Sequence, residues 1–269
     1  MTLNKATLMP DGTTLPSSPV QPTEIHFERV SKSFGRAYAG DLFLAVDNLS
    51  LDIRRGELVA ILGKTGCGKS TMFNMIAGLI EPSQGAVTVS GQDPFKAFEW
   101  FRGKIAIVFQ NDRLLPWRTA IENVELGLEL LGMSKSERHD MAQEWLTKLG
   151  LAGHEKDYPH ALSVGMRQRV SIARAFATNA GILLCDEPFS ALDEMTGNRL
   201  REEFARLVRE NGKTAVFITH SINEALQIGD RIVVLRRPAK IAYDVQLPAD
   251  ADKAAKEEIR ARIQAVLAE

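Results

Sequence analysis

Two cysteines, Cys67 and Cys185, are all that 269 residues contain, so no disulfide framework is indicated. Long hydrophobic runs are missing too: residues 58–62 and 105–109 fall far short of the ~20 apolar residues that a membrane span needs. Neither sign of charge is in excess, with 33 Lys and Arg against 34 Asp and Glu. That balance argues against a broadly basic nucleic-acid surface. No apolar signal-peptide core precedes Pro10, and no internal repeat or coiled-coil heptad run is visible. Together these absences set the expectation of a soluble, cytosolic protein. What is present is ordinary for a globular chain, 45% hydrophobic and 25% charged, long enough for one substantial core or two modest ones.

Residues 1–22 hold four prolines with Ser, Thr and Gly and read as a flexible extension. Residues 25–30 and 46–53 alternate apolar and polar, the pattern of half-buried antiparallel strands. Continuous apolar runs at 57–62, 104–110, 181–186, 214–219 and 231–235 read as buried strands, the later ones alternating with helices. Pro82-Ser83-Gln84-Gly85 reads as a turn before a strand at 86–90. Between about 119 and 149 the apolar spacing turns helical, and Ser134-Lys135-Ser136-Glu137 resembles a capping box. Near the end Ile259, Ile263, Val266 and Leu267 form one apolar stripe on a helix that should pack back on the body.

Gly63-Lys64-Thr65-Gly66-Cys67-Gly68-Lys69-Ser70-Thr71 fits G-x-x-x-x-G-K-[ST], and it stands between a strand pattern and a helix pattern, as a P-loop should. The glycines let the backbone curl around phosphate oxygens, with the N–H groups of the loop and helix start aimed at them. In that motif Lys69 reaches the β- and γ-phosphates and the Ser70 hydroxyl ligates Mg2+. Cys67, so close to phosphates and a helix start, is expected to have a lowered thiol pKa, unless it is simply a small residue that fits the loop. Ile182-Leu183-Leu184-Cys185-Asp186-Glu187 is an apolar strand ending in two acids. Asp186 suits a Mg2+ ion, directly or through water, and Glu187 suits a general base that polarises an attacking water.

Leu162-Ser163-Val164-Gly165-Met166-Arg167-Gln168-Arg169, with Asp186-Glu187-Pro188 and Ser190-Ala191-Leu192-Asp193, resembles the ATP-binding cassette family over roughly residues 24–245. Gln110 stands at the family's Q-loop glutamine, where it also joins the Mg2+ shell. His220 matches the switch histidine, and Phe34 the aromatic that stacks on adenine. Singly, these three read as a strand end, a strand-terminal hydrogen bonder and a core aromatic; in order and together they do not. The resemblance implies an α/β fold: a P-loop NTPase core with an antiparallel β subdomain and an inserted α-helical subdomain. The expected division is 1–22 extension, 23–245 ATPase domain with the helical part at about 111–175, and 246–269 C-terminal helix.

It further implies ATP and Mg2+ as ligands and a head-to-tail homodimer with two ATPs between protomers. In each site Ser163 and Gly165 come from the other chain, with Asp193 lining the interface. Val164 departs from the family's usual glycine. A helix start offers its N–H whatever the side chain, so the tighter constraint is expected at Gly165. The segment Leu114-Leu115-Pro116-Trp117 is similar to importers of the nitrate, sulfonate and taurine group, and as an exposed patch it would face a membrane permease. The reading is therefore an ATPase subunit on the cytoplasmic face of the cell membrane. Its partners would be permease subunits, with an extracytoplasmic solute-binding protein acting through them, and no nucleic acid. The rivals are a soluble cassette ATPase acting on nucleic acid or protein assembly, and an ATP-binding switch with little turnover.

Overall fold

The computed structural model describes residues 21–35, 42–248 and 250–268. The extension expected at 1–22 therefore lies, but for its last two residues, outside the described residues. Strand β1 (Thr23–Phe34) and strand β2 (Phe43–Arg54) pair antiparallel, burying Ile25, Phe27 and Val30 of one and Leu49, Leu51 and Ile53 of the other. Their alternation is that of a sheet with one face on the core. Strand β3 (Leu58–Gly63) is buried at every position and leads through the glycine-rich loop into helix α1 (Lys69–Ile76). Strand β4 (Gln84–Val89) then returns to pair with β1, giving a three-stranded sheet in the order β2-β1-β4.

Pairing in β4 begins at Gln84, inside the segment read as a turn. Gly85 has φ +78°, and a Cβ there would lie 2.3 Å from the Glu28 carbonyl oxygen. It is a bulge glycine within the strand, where only glycine fits so close an approach. Strand β5 (Ile105–Val108) is shorter and only half-buried compared with the run read from sequence.

Helices α2 (Ala120–Leu130), α3 (Lys135–Lys148) and α4 (Val164–Ala177) pack on one another beside β5. Thr119 with Glu122, and Ser134 with Glu137, form capping boxes, so the starts of α2 and α3 are fixed locally. Then follow strand β6 (Ile182–Asp186), helix α5 (Glu194–Glu210), strand β7 (Thr214–Thr219), helix α6 (Ile222–Ile228), strand β8 (Arg231–Arg236), strand β9 (Lys240–Gln246) and helix α7 (Lys253–Ala268). These build a six-stranded sheet, order β5-β6-β7-β3-β8-β9, parallel except for β9.

Phe176, Phe189, Phe204 and Phe217 meet edge-on or stacked in the layer between this sheet and the helices, each ring contributing about 1.5–3 kcal/mol of burial. Helix α7 lies on the same core, with Ile263 fully buried and Ile259, Val266 and Leu267 packed around it. The two sheets meet where Ala239 N–H donates to the Ala45 carbonyl (2.9 Å) and Asp47 N–H to the Ala239 carbonyl (3.2 Å).

Candidate active site

Because β3 lies between β7 and β8, with β6 next to β7, the carboxyl ends of three parallel strands come out side by side. That edge of an open parallel sheet is where ligands bind. Here it carries the glycine-rich loop, the Asp186-Glu187 pair and Thr219-His220.

The loop is held tightly. A Cβ on Gly63 would meet Cys67 Sγ at 2.6 Å and the Leu235 carbonyl oxygen at 2.8 Å. A Cβ on Gly68 (φ +106°) would stand 2.5 Å from the Ala45 carbonyl oxygen, against the strand that joins the two sheets. Lys69 is buried, and its Nζ donates to the carbonyls of Gly63 (2.7 Å) and Lys64 (3.1 Å). Those carbonyls take two of the three ammonium protons, leaving one for an anion in the cradle. Lys64, Thr65, Gly66 and Ser70 form the exposed side of the loop, and Thr71 is half-buried one residue further on. A loop packed too closely to admit a Cβ at Gly63 or Gly68, a buried ammonium and a helix start fit a phosphate chain.

Cys67 corrects an expectation. It is buried, and that burial raises its thiol pKa, outweighing the pull of Lys69 and of backbone N–H groups. The thiol fills space under Gly63 and is not an activated nucleophile.

Asp186 ends β6 and is half-buried. Burial first, and the charge of Glu187 second, raise its pKa, while Lys69 and Arg113 pull the other way. Glu187 follows with φ 45°, a left-handed conformation uncommon for a side chain of this size. It is held there by its N–H on the Ile218 carbonyl (2.9 Å) and by Ser190, whose N–H and hydroxyl donate to the Glu187 carbonyl (3.2 and 3.0 Å). The turn aims the carboxylate at the neighbouring strand end, where Glu187 Oε2 lies 2.9 Å from His220 Nδ1. The candidate Mg2+ donors are the Asp186 carboxylate, the Ser70 hydroxyl and the Gln110 amide. That is an oxygen set small enough to leave places for water and phosphate, as Mg2+ prefers.

Gln110 is exposed just beyond β5. The chain after it is tied down by two arginines of α4. Arg167 Nε donates to Asp112 (3.0 Å), and Arg174 donates to the carbonyls of Arg113 (2.9 Å) and Asp112 (2.8 Å). Sequence reasoning missed both; their seven-residue spacing on one helix face is the signal that was there.

Ser163 caps α4 by accepting from Met166 N–H (3.3 Å), and Asp193 caps α5 by accepting from Thr196 N–H (3.0 Å), which lowers the Asp193 pKa. A Cβ on Gly165 would lie 3.2 Å from Thr196 Cγ2, whereas the Val164 side chain is exposed. Gly165 thus meets the start of α5 within its own chain. Among the described residues, no hydrogen bond or ion pair joins Ser163, Gly165 or Asp193 to the P-loop. Phe34 is partly exposed, with Lys32 Nζ 5.2 Å from its ring centre. Its cross-strand partner Phe43, which sequence reasoning passed over, is equally open and has Arg237 5.1 Å from its ring.

The segment at 114–117 is not one exposed patch. Leu114 is 9% exposed and belongs to the core, while Trp117 is 71% exposed. Burial of one end follows from Asn123, which accepts from the Leu115 N–H (2.7 Å) and pulls the segment against α2.

A P-loop strand, an acidic strand end and a strand-end histidine, set in a parallel sheet flanked by an antiparallel sheet and a helical unit, define a cassette-type ATPase. Residues 46–190 match the ABC transporter family, and the chain belongs to it. It is 41% identical over 225 residues to an uncharacterized ABC transporter ATP-binding protein of Methanocaldococcus jannaschii, covering 83% of this chain and 82% of that one. It is 44% identical over 209 residues to the taurine import ATP-binding protein of Rhizobium johnstonii, covering 77% and 78%. Against the nitrate import ATP-binding protein of Synechococcus elongatus it is 41% identical over 198 residues, covering 73% of this chain but 29% of that longer protein. Among solved structures, a dimeric post-hydrolysis state of an ATP-binding cassette bound to ADP and Pi superposes with a TM-score of 0.73 at 36% identity. The match covers 84% of this chain and 99% of that one. ATP with Mg2+ is the ligand pair of this family, and the chain is an ATPase of it.

The raised pKa of Asp186 yields a prediction. A carboxyl with a higher pKa folded than unfolded costs stability above the folded value, and nothing below the unfolded one. Asp186→Asn is therefore expected to raise Tm at neutral pH while losing Mg2+-dependent hydrolysis. The gain should narrow as pH falls toward ~4, where the unfolded carboxyl is protonated as well. Thermal melts of both proteins from pH 8 downward check it; a lowered Tm, or a pH-independent gain, would count against the assignment.

Proposed function

We propose that this chain is the ATP-hydrolysing subunit of a solute importer, acting as a homodimer on the cytoplasmic face of a cell-membrane permease. The observation that carries the catalytic part is the 2.9 Å contact between Glu187 and His220 at adjoining strand ends beside the P-loop. In this reading the N–H groups of residues 63–71 and the Lys69 ammonium bind the phosphates, and Phe34 stacks on the adenine. Mg2+ held by Ser70, Gln110 and Asp186 would neutralise phosphate charge. Glu187 takes the proton of the attacking water as general base, and His220 fixes the carboxylate and faces the γ-phosphate. Ser163 and Gly165 of one protomer complete the site of the other, with Asp193 at the shared interface. Both caps lie at helix starts, where N–H groups favour an anion.

For the division of the chain, we take 23–245 as the ATPase domain with its helical part at about 111–175, and 246–269 as an appended helix. Among the described residues no helix is long and apolar enough to cross a membrane, and in this reading the membrane path belongs to a separate permease. The surface that suits such a partner is an apolar groove of about 590 Å³ between α1, the turn at 98–101 and α2. Leu79, Phe98, Leu130 and Leu131 line it and are exposed. Trp117 remains as a second exposed contact; the buried Leu114 does not. Taurine and nitrate, named for the relatives, are small polar solutes. Solute choice would lie with the permease and an extracytoplasmic solute-binding protein.

Glu187→Gln is expected to keep ATP binding while lowering hydrolysis by ~10²–10⁴-fold, and to run as a dimer on size exclusion with ATP and Mg2+. Near-normal turnover would remove Glu187 from its role. For the partner surface, Leu131→Asp should preserve the ATPase activity of the isolated subunit and abolish co-purification with its permease. A complex that survives this change would place the permease elsewhere.

A further inference from the structure

Beyond the residues that face the nucleotide, we propose that Arg201 and Glu224 are positioning residues for hydrolysis. They form a buried ion pair that ties the first turns of α5, begun by Asp193, to the two residues flanking His220, and so sets where His220 stands against Glu187. The proposal rests on the roles given above to Glu187 and His220.

The pair is nearly out of water, with side chains 9% and 11% exposed and Arg201 Nη1 3.1 Å from Glu224 Oε1. The guanidinium makes two further bonds: Nε donates to Gln227 of α6 (2.6 Å) and Nη2 to Asn198 of α5 itself. The other carboxylate oxygen accepts from the Thr219 hydroxyl at 2.5 Å. That hydroxyl in turn accepts from Ser221 N–H (3.0 Å), and Glu224 N–H donates to the Ser221 hydroxyl (3.3 Å). Thr219 is thus bound to the carboxylate directly, Ser221 through the Thr219 hydroxyl and the Glu224 backbone, and the carboxylate to α5.

His220 itself is more than half exposed, and its ring hydrogen-bonds only to Glu187 among the described residues. Its place is therefore defined by its backbone, which the network fixes. Helix α5 makes room for the arrangement with Gly197, in its first turns. A Cβ there would lie 3.0 Å from Arg201 Nη1, and a mid-helix glycine otherwise only weakens a helix. A buried pair is a poor source of stability compared with apolar packing, yet removing one member leaves an uncompensated charge. A buried polar network fixes one geometry, which is what a base contacted at 2.9 Å by an exposed imidazole needs. Through Asp193 the same link makes the His220 position depend on the helix that starts at the dimer face.

The test is a double-mutant cycle on the full chain, read as single-turnover ATP hydrolysis with Tm and KM for ATP alongside. Glu224→Gln should lower the hydrolysis rate about ten- to a hundredfold with KM little changed. In a His220→Ala background, already slow, the same substitution should add almost nothing. Thr219→Val should reproduce the loss and Thr219→Ser should recover most of it, so the proposal stays testable if Glu224→Gln folds poorly. A full further loss in the slow His220→Ala background would overturn the proposal while leaving His220 in its role. So would Thr219→Val hydrolysing at the parent rate. Parent-level hydrolysis by His220→Ala would instead overturn the underlying reading, and this proposal with it.

Discussion

Parallel hydrogen bonding among β6, β7 and β3 sets Asp186 opposite Ile218 and Leu62 opposite Thr219. That register brings Asp186, the candidate metal-binding acid, Glu187, the candidate base, His220 and the phosphate loop to one edge of a sheet buried on both faces. A slip of one residue in any pair would turn every side chain of the strand to the opposite layer, against a core of Leu, Val, Ile and Phe. The chemistry is thus positioned by hydrophobic packing that never touches it. The 2.9 Å approach of Glu187 to His220 is where that packing meets the proposed chemistry.

The second constraint is the joint between the sheets. Ala45 and Ala239 exchange contacts with each other and with Gly68, so the antiparallel sheet is fastened at the P-loop itself. Phe34 and Phe43 pair at the end of β1 and β2 next to this joint, partly exposed. Behind the loop Cys67 works as a filler. On the other side Arg167 and Arg174 bind the segment after Gln110 to α4, the helix that Ser163 caps. The phosphate loop, the antiparallel sheet and the helical unit therefore meet at short, direct contacts.

Much of this was legible in the chain. The P-loop, the strand ends at Asp186 and Thr219, and the capping box at Ser134 are local patterns whose physics lies in adjacent residues. The runs at 214–219 and 231–235 gave strands with nearly those bounds because continuous apolar sequence in an α/β chain has few other uses. What escaped depends on contacts between distant segments. Gly85 looked like a turn glycine, and only the approach of Glu28 makes it a bulge. Cys67 looked electropositive from its neighbours, but burial decides its pKa. Leu114 shared a hydrophobic tetrapeptide with Trp117, yet one packs into the core and the other stands in solvent. The Arg201–Glu224 pair is separated by 23 residues, and nothing in either helix announces it.

The central claim is that each catalytic site is shared, with the P-loop and base of one copy facing Ser163 and Gly165 of another. Complementation measures this directly. Lys69→Ala disables a chain's own phosphate loop, and Gly165→Val disables what it lends to its partner; each variant alone should hydrolyse almost no ATP. In a mixture, heterodimers contain one site built from an intact P-loop and an intact Gly165. The account predicts that mixing the two inactive proteins restores steady-state ATPase activity. A mixture that stays as inactive as its components, while size exclusion shows that the two chains associate, would contradict it.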